Sequence, residues 1–331
     1  MAEQVYTEVH EALKHHIQGP EHYAAFVQIH SRSLCAAGAG LLEGSFRSPL
    51  HACLPPESVT VPFQLWLPKG KPWAVVIICG GTADETFVYR RKAFAEPLLA
   101  HGVACILPMM PFYGGRRRQG QRLFYLKTFM DLMLQCYAGC AENMLLLDWV
   151  RVQYPDALLG IAGISHGAGA TVASAMHVYH DLAVIPLLIP TSPSVLATGS
   201  LELDLALDAL GAKNLPGGPS WDDVRNVVVD TLEVAMGPDA GGKVSPPALG
   251  KFVRCVVAAA AADDGFVLPA WAQKALSRTK ETLDPDAELH WVPGGHTSSH
   301  LLARWLFTKL VLRGLHRLKR ARGGASGCSK L

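Results

Sequence analysis

Residues 158–173 read LLGIAGISHGAGATVA. The opening LLGIA has no polar side chain, as a buried parallel strand should. From Ser165 to about residue 179 the small and apolar residues suit a helix. Between strand and helix lies Gly163-Ile164-Ser165-His166-Gly167, a match to G-x-S-x-G. Three fixed positions in five recur often by chance, so the surroundings decide what the match means. In a nucleophile elbow the serine sits on a strained strand-to-helix turn, where crowding demands small flanking residues. Gly163 and Gly167 supply them. The helix would turn its positive end toward the serine, making the His166 backbone N–H a candidate oxyanion donor.

Strands alternate with helices around this turn. Strands are expected at 59–67, 73–79, 103–107, 158–162, 183–189, 252–260 and 288–292. Helices are expected at 86–100, within 124–154, and at 165–179, 269–280 and 297–318. Alternation of this kind implies an α/β fold with a mostly parallel sheet covered on both faces. The stretch 191–250 breaks the rhythm with Pro/Gly punctuation around two helical pieces and reads as a helical lid insertion. Upstream, 3–17 reads as an amphipathic helix and 19–58 as irregular. The expected division is therefore an extension over 1–58, the α/β domain over 59–318 and a flexible basic tail over 319–331.

Bulk properties narrow the classes. Half of the 331 residues are hydrophobic and only 18% are charged, so a large core is expected. A net charge of +2 gives no reason to expect a nucleic-acid partner. The eight cysteines are scattered, and the N-terminus reads neither as a secretory leader nor, with its acidic residues, as a transit peptide. Reduced thiols are expected. Cys136 and Cys140 lie one helical turn apart, but no second ligand pair is near, so no metal is expected. No cofactor is expected either. Gly167-Ala168-Gly169 lacks the third glycine and downstream acid of a dinucleotide fingerprint, and there is no P-loop. The uncharged run 157–178 is better read as strand, elbow and helix than as a membrane span.

A serine nucleophile needs a base, a group to orient that base, and oxyanion donors. In this fold order the acid and base follow the serine, each just after a strand. The 252–260 strand runs into AADDGFVLP, and the 288–292 strand into PGGHTSSH. Asp264 is chosen over Asp263, and His296 as the base, with His300 as the fallback. The second oxyanion donor should come from the loop after the 73–79 strand, Gly80-Gly81-Thr82-Ala83-Asp84. There the glycines admit close backbone approach and the Thr82 N–H is the candidate. Arg90, Arg91 and Arg116 lie near strand ends. They are either solvated loop residues or, with Gly81, substrate-binding groups for a phosphate or carboxylate.

The phrases LLEGSFRSPL, GGTADETFVYRR, MPFYGGRRRQGQ, GISHGAGA, AADDGFVLP and PGGHTSSHLL resemble, in this order, the α/β-hydrolase domain-containing protein eighteen family. The resemblance runs over about 41–318. It implies an α/β-hydrolase fold and a serine lipid or ester hydrolase, with the nucleophile on Ser165, the acid on Asp264, the base on His296 and the oxyanion Gly-Thr on Gly81-Thr82. The family usually has Met after the serine, where this chain has His166, and Gly after the loop threonine, where it has Ala83.

The expected activity is cleavage of acyl esters, with an acyl-chain or lipid substrate. The alternatives are an acyl-CoA thioesterase or acyltransferase with the same triad, and a non-catalytic lipid-binding or interaction protein on the hydrolase fold. The basic, leucine-rich stretch 312–322 is either a peripheral membrane contact or a core-packed final helix. The chain ends Ser329-Lys330-Leu331, a peroxisomal address, so a peroxisomal import receptor is an expected partner. The resemblance points instead to mitochondria, and the cytoplasm is the other alternative.

Overall fold

The computed structural model describes residues 27–34, 39–189 and 252–327. The expected N-terminal helix (3–17), lid (191–250) and Ser329-Lys330-Leu331 end lie outside the described residues.

Nine strands form one sheet, in the order β1-β2-β3-β5-β4-β6-β7-β8-β9. They are β1 (Gln28–Leu34), β2 (Gly40–Arg47), β3 (Thr60–Leu67), β4 (Ala74–Cys79), β5 (Val103–Pro108), β6 (Leu158–Ile164), β7 (Leu182–Leu187), β8 (Arg254–Ala261) and β9 (Glu288–Val292). Strands β1 to β3 pair antiparallel, as do β3 and β5. From β5 onward every neighbour is parallel. Strands β4 to β8 are buried along their whole length, because helices cover both faces.

The described α-helices are α1 (Val88–Arg90), α2 (Glu96–Leu99), α3 (Phe129–Gln153), α4 (His166–His177), α5 (Pro269–Thr282), α6 (His296–Leu302) and α7 (Arg304–Gly327). A π-helical segment, Arg91–Ala95, joins α1 to α2 within the stretch expected as one helix. The 124–154 stretch holds a single helix, α3. Thr128 caps it by accepting from the Asp131 N–H, and the Asp131 carboxylate accepts from the Thr128 N–H. One core lies between α7 with the 91–99 region and the sheet; the other lies between α3 and the opposite face.

Three expectations need correction. Residues 19–58 are not all irregular, for they contain β1 and β2. Both lack an unbroken apolar run; they pair antiparallel through backbone, and Ser31 Oγ and Gln64 Nε2 add exposed bonds by donating to Glu43. The 297–318 helix is two, α6 and α7, meeting at Ala303. The final helix also runs past 318 to Gly327, into the stretch expected as tail. Lys319 lies over the Trp73 ring and Arg322 ion-pairs with Asp181, which gives that end partners. Leu315 and Leu318 are buried, so these two leucines of α7 face the core rather than a membrane surface. No described helix is long and apolar enough to cross a membrane.

Candidate active site

Ser165 stands between the end of β6 and the first residue of α4, with φ 54° and ψ −120°. A non-glycine residue in this region is strained by about 1–3 kcal/mol, so the surroundings must hold it. They do. The Ser165 N–H donates to the Leu187 carbonyl at 2.9 Å, and the Ser165 carbonyl accepts from the Ala168 N–H at 2.8 Å. A Cβ on Gly163 would lie 2.1 Å from the Gly167 carbonyl oxygen, and one on Gly167 would lie 2.5 Å from that of Gly80. Both glycines are therefore required by close backbone approach, as the motif demands.

The strand ends bring the other groups to this turn. Asp264 follows β8 and is buried, at 4% exposure. Its Oδ1 accepts from the Phe266 and Val267 N–H groups at 2.8 and 2.9 Å. His296 opens α6 after β9. Its Nδ1 is 2.7 Å from Asp264 Oδ2, and its Nε2 is 2.7 Å from Ser165 Oγ. Asp264, not its exposed neighbour Asp263, makes this contact. Burial alone would raise the Asp264 pKa. The hydrogen bond from His296, the Val267 and Phe266 N–H groups and the His296 charge outweigh burial and leave it below the usual carboxylate value. An ionised, buried carboxylate thus orients an imidazole whose other nitrogen meets a serine hydroxyl.

Two stretches of backbone meet at this turn. As the first residue of α4, His166 has an N–H with no carbonyl four residues back inside its helix. The 80–84 loop packs against the elbow: a Cβ on Gly81 would lie 3.1 Å from the Ile164 carbonyl oxygen and 3.8 Å from Ser165 Cβ. Thr82 follows, exposed. The His166 side chain is half-buried, and burial pulls its pKa down to about 4, which keeps the imidazole neutral.

The arginines are placed differently from expectation. Arg116 is 1% exposed. It makes a bidentate pair with Glu142 at 2.7 and 2.9 Å and donates to the Ser58 and Met109 carbonyls. All its N–H groups are used, so it is not a substrate group. Arg90 is fully buried and pairs with Asp84. Arg91 is half-exposed, beside Glu96 and over the Trp66 ring. Spacing from the strand ends carried no sign of the carboxylates and carbonyls that hold Arg90 and Arg116.

Two aromatic neighbours of the base were not foreseen in their contacts. Phe266 and His300 lie with ring centroids 5.6 and 5.7 Å from His296. His300, the fallback base, meets the Tyr89 ring at 5.8 Å rather than Ser165. Burial, and then the His296 charge, pull its pKa to about 4. The i, i+4 spacing on α6 was the available signal. Cys136 and Cys140 are free, and burial pushes them up to about 12 and about 11. Among the described residues no His/Cys/Asp/Glu group could hold a metal.

The model of the family Alpha/beta hydrolase domain containing 18 matches residues 8–228 and 248–317. The chain belongs to this family. Its fold is the α/β-hydrolase fold. Solved structures agree on the fold at low identity. Acetyl xylan esterase 1 from Thermoanaerobacterium is 12% identical, with a TM-score of 0.57 over 93% of this chain and 94% of that one. A lipase in its open form is 16% identical, with a TM-score of 0.54 over 84% and 99%. A cold-adapted esterase from an Arctic intertidal metagenomic library is 16% identical, with a TM-score of 0.53 over 88% and 97%.

Proposed function

We propose that this hydrolase-family protein cleaves acyl esters through a Ser165–His296–Asp264 triad. The observation that carries the reading is the continuous path of 2.7 Å contacts from Ser165 Oγ through His296 to Asp264. Ser165 Oγ attacks the acyl carbonyl as His296 Nε2 takes its proton. Asp264 holds the Nδ1–H tautomer and stabilises the imidazolium that forms. The Thr82 and His166 N–H groups receive the oxyanion. The tetrahedral intermediate collapses, His296 protonates the leaving alkoxide, and Ser165 is left acylated. Water, deprotonated by His296, then attacks the acyl carbonyl; the bond to Ser165 Oγ breaks, His296 returns the proton to Oγ, and the acid leaves.

An acyl chain or lipid is the favoured substrate class. Phe266, which meets the His296 ring, is 43% exposed, and Leu301 and Leu302 on α6 are 68% and 67% exposed. Apolar surface against the His296 ring and on the helix that His296 opens suits an apolar substrate. The thioester alternative loses its support from Arg90 and Arg116, whose buried guanidiniums cannot meet the phosphates of coenzyme A. The test is hydrolysis of a series of p-nitrophenyl esters of increasing chain length. Activity that rises with chain length and vanishes in Ser165→Ala supports the reading. Activity retained in Ser165→Ala overturns it. Peroxisomal delivery by Ser329-Lys330-Leu331 is a separate proposal. Deleting the three residues from an N-terminally tagged chain should disperse it from peroxisomes, and unchanged localisation would contradict the proposal.

A further inference from the structure

Nothing in the triad explains what shapes the 80–84 turn, which carries the proposed Thr82 donor. The turn's own bonds are local: the Asp84 N–H donates to the Gly81 carbonyl at 3.2 Å and the Glu85 N–H to that of Ala83 at 2.9 Å. Ala83 sits at φ 66°, in the left-handed region that favours glycine. A turn strained at this position opens unless it is held from outside.

The holding group is a buried ion pair. Arg90 Nε donates to Asp84 Oδ2 at 2.5 Å. The same guanidinium donates through Nη1 to the Ile78 carbonyl at 2.9 Å and the Pro108 carbonyl at 2.7 Å. Ile78 lies one residue before the end of β4 and Pro108 closes β5. One side chain therefore ties the far end of the turn to two strand ends. The Arg90 and Asp84 side chains are 0% and 8% exposed. Water cannot screen the pair, and loss of either partner strands the other charge.

We propose that Arg90 and Asp84 are positioning residues whose ion pair clamps the strained 80–84 turn so that the Thr82 N–H faces the oxyanion. The proposal rests on the ester-hydrolase reading. A preorganised oxyanion donor acts on the transition state, so its loss lowers kcat and leaves KM in place. The pH profile of the reaction stays where it was. A role in folding alone would leave the turnover of the folded molecules unchanged.

The experiment uses the full chain and its Asp84→Asn variant, which keeps the shape and an acceptor but removes the charge. Ala83→Gly is added in the same background, because glycine adopts the turn without strain. Three quantities are read: ester-hydrolysis kcat and KM, melting temperature, and hydrogen exchange of the 80–85 amides. Asp84→Asn is expected to lower kcat about ten- to a hundred-fold, in the range of losing one oxyanion donor. KM should stay within about twofold and exchange in the turn should rise. The double variant should recover at least about threefold of the lost kcat. The clamp is overturned if kcat stays within about twofold, if kcat falls only in proportion to folded protein, if glycine restores nothing, or if exchange is unchanged. An inactive native chain would sink the hydrolase reading and the oxyanion role together. Exchange of the turn would still decide whether the pair holds it.

Discussion

Two buried charge clusters sit near the carboxyl ends of the strands, and they end differently. In one, Asp264 is paired with His296, and the far nitrogen of that imidazole meets Ser165. In the other, Arg116 is paired with Glu142 and spends every N–H on carboxylate or backbone carbonyls. Burial is similar in both, with Asp264 at 4% and Arg116 at 1% exposure. What separates the proposed catalytic cluster from the structural one is whether the hydrogen-bond path stops inside the protein or reaches a serine hydroxyl. A buried charge near a strand end is therefore weak evidence of function until all its partners are named.

Breaking the first cluster should hurt catalysis most. Asp264→Asn is expected to lower kcat by about 10⁴-fold, because the amide favours the wrong imidazole tautomer. The melting temperature should change little, and steady-state kinetics with thermal unfolding checks both. A loss of less than tenfold would mean that Asp264 does not orient the base. Breaking the second cluster should hurt stability instead. Glu142→Gln leaves the Arg116 charge buried without its counter-charge, a change expected to cost about 3–5 kcal/mol. Denaturant unfolding measures it, and kcat per folded molecule should be nearly unchanged. If kcat falls while stability holds, Arg116 belongs with the proposed catalytic cluster after all.

A smaller effect comes from the neutral histidines. Burial holds His166 and His300 down at about 4, against 6.5 for the free side chain. Below pH 6.5 the unfolded chain binds protons that the folded chain refuses. Their contribution to stability is therefore complete above pH 6.5 and is lost as pH falls toward 4. His300→Phe should flatten the decline between pH 6.5 and 4.5 in thermal unfolding. A curve unchanged by the substitution would show that His300 does not stay neutral in the folded protein.

The sheet was largely legible in the sequence, and so were the three side chains that meet at Ser165. Strands β4 to β8 are buried throughout, so each shows as an unbroken apolar run. The order serine, acid, histidine at three strand ends located Ser165, Asp264 and His296, and two crowded glycines marked the turn between β6 and α4. The missed parts are those where distant or polar partners decide. Strands β1 and β2 pair through backbone and bury few side chains, Phe46 with Leu41 and Leu42 packed beside the core, so no unbroken apolar run marks them. Arg116 finds Glu142 on α3, 26 residues away, a pairing that no local pattern signals. Ala83 was visible as a departure from the expected glycine, but its positive φ needed the structure. The extension of α7 to Gly327 was hidden because its partners, Trp73 and Asp181, lie on other elements.

Everything proposed for this site depends on activation of the Ser165 hydroxyl by His296. The direct measurement is reaction of the folded protein with a fluorophosphonate, followed by peptide mass spectrometry to place the adduct. One phosphonyl adduct is expected, on Ser165, absent in Ser165→Ala and at least a hundred-fold slower in His296→Ala. No adduct on Ser165, or an adduct that forms equally fast without His296, would contradict it.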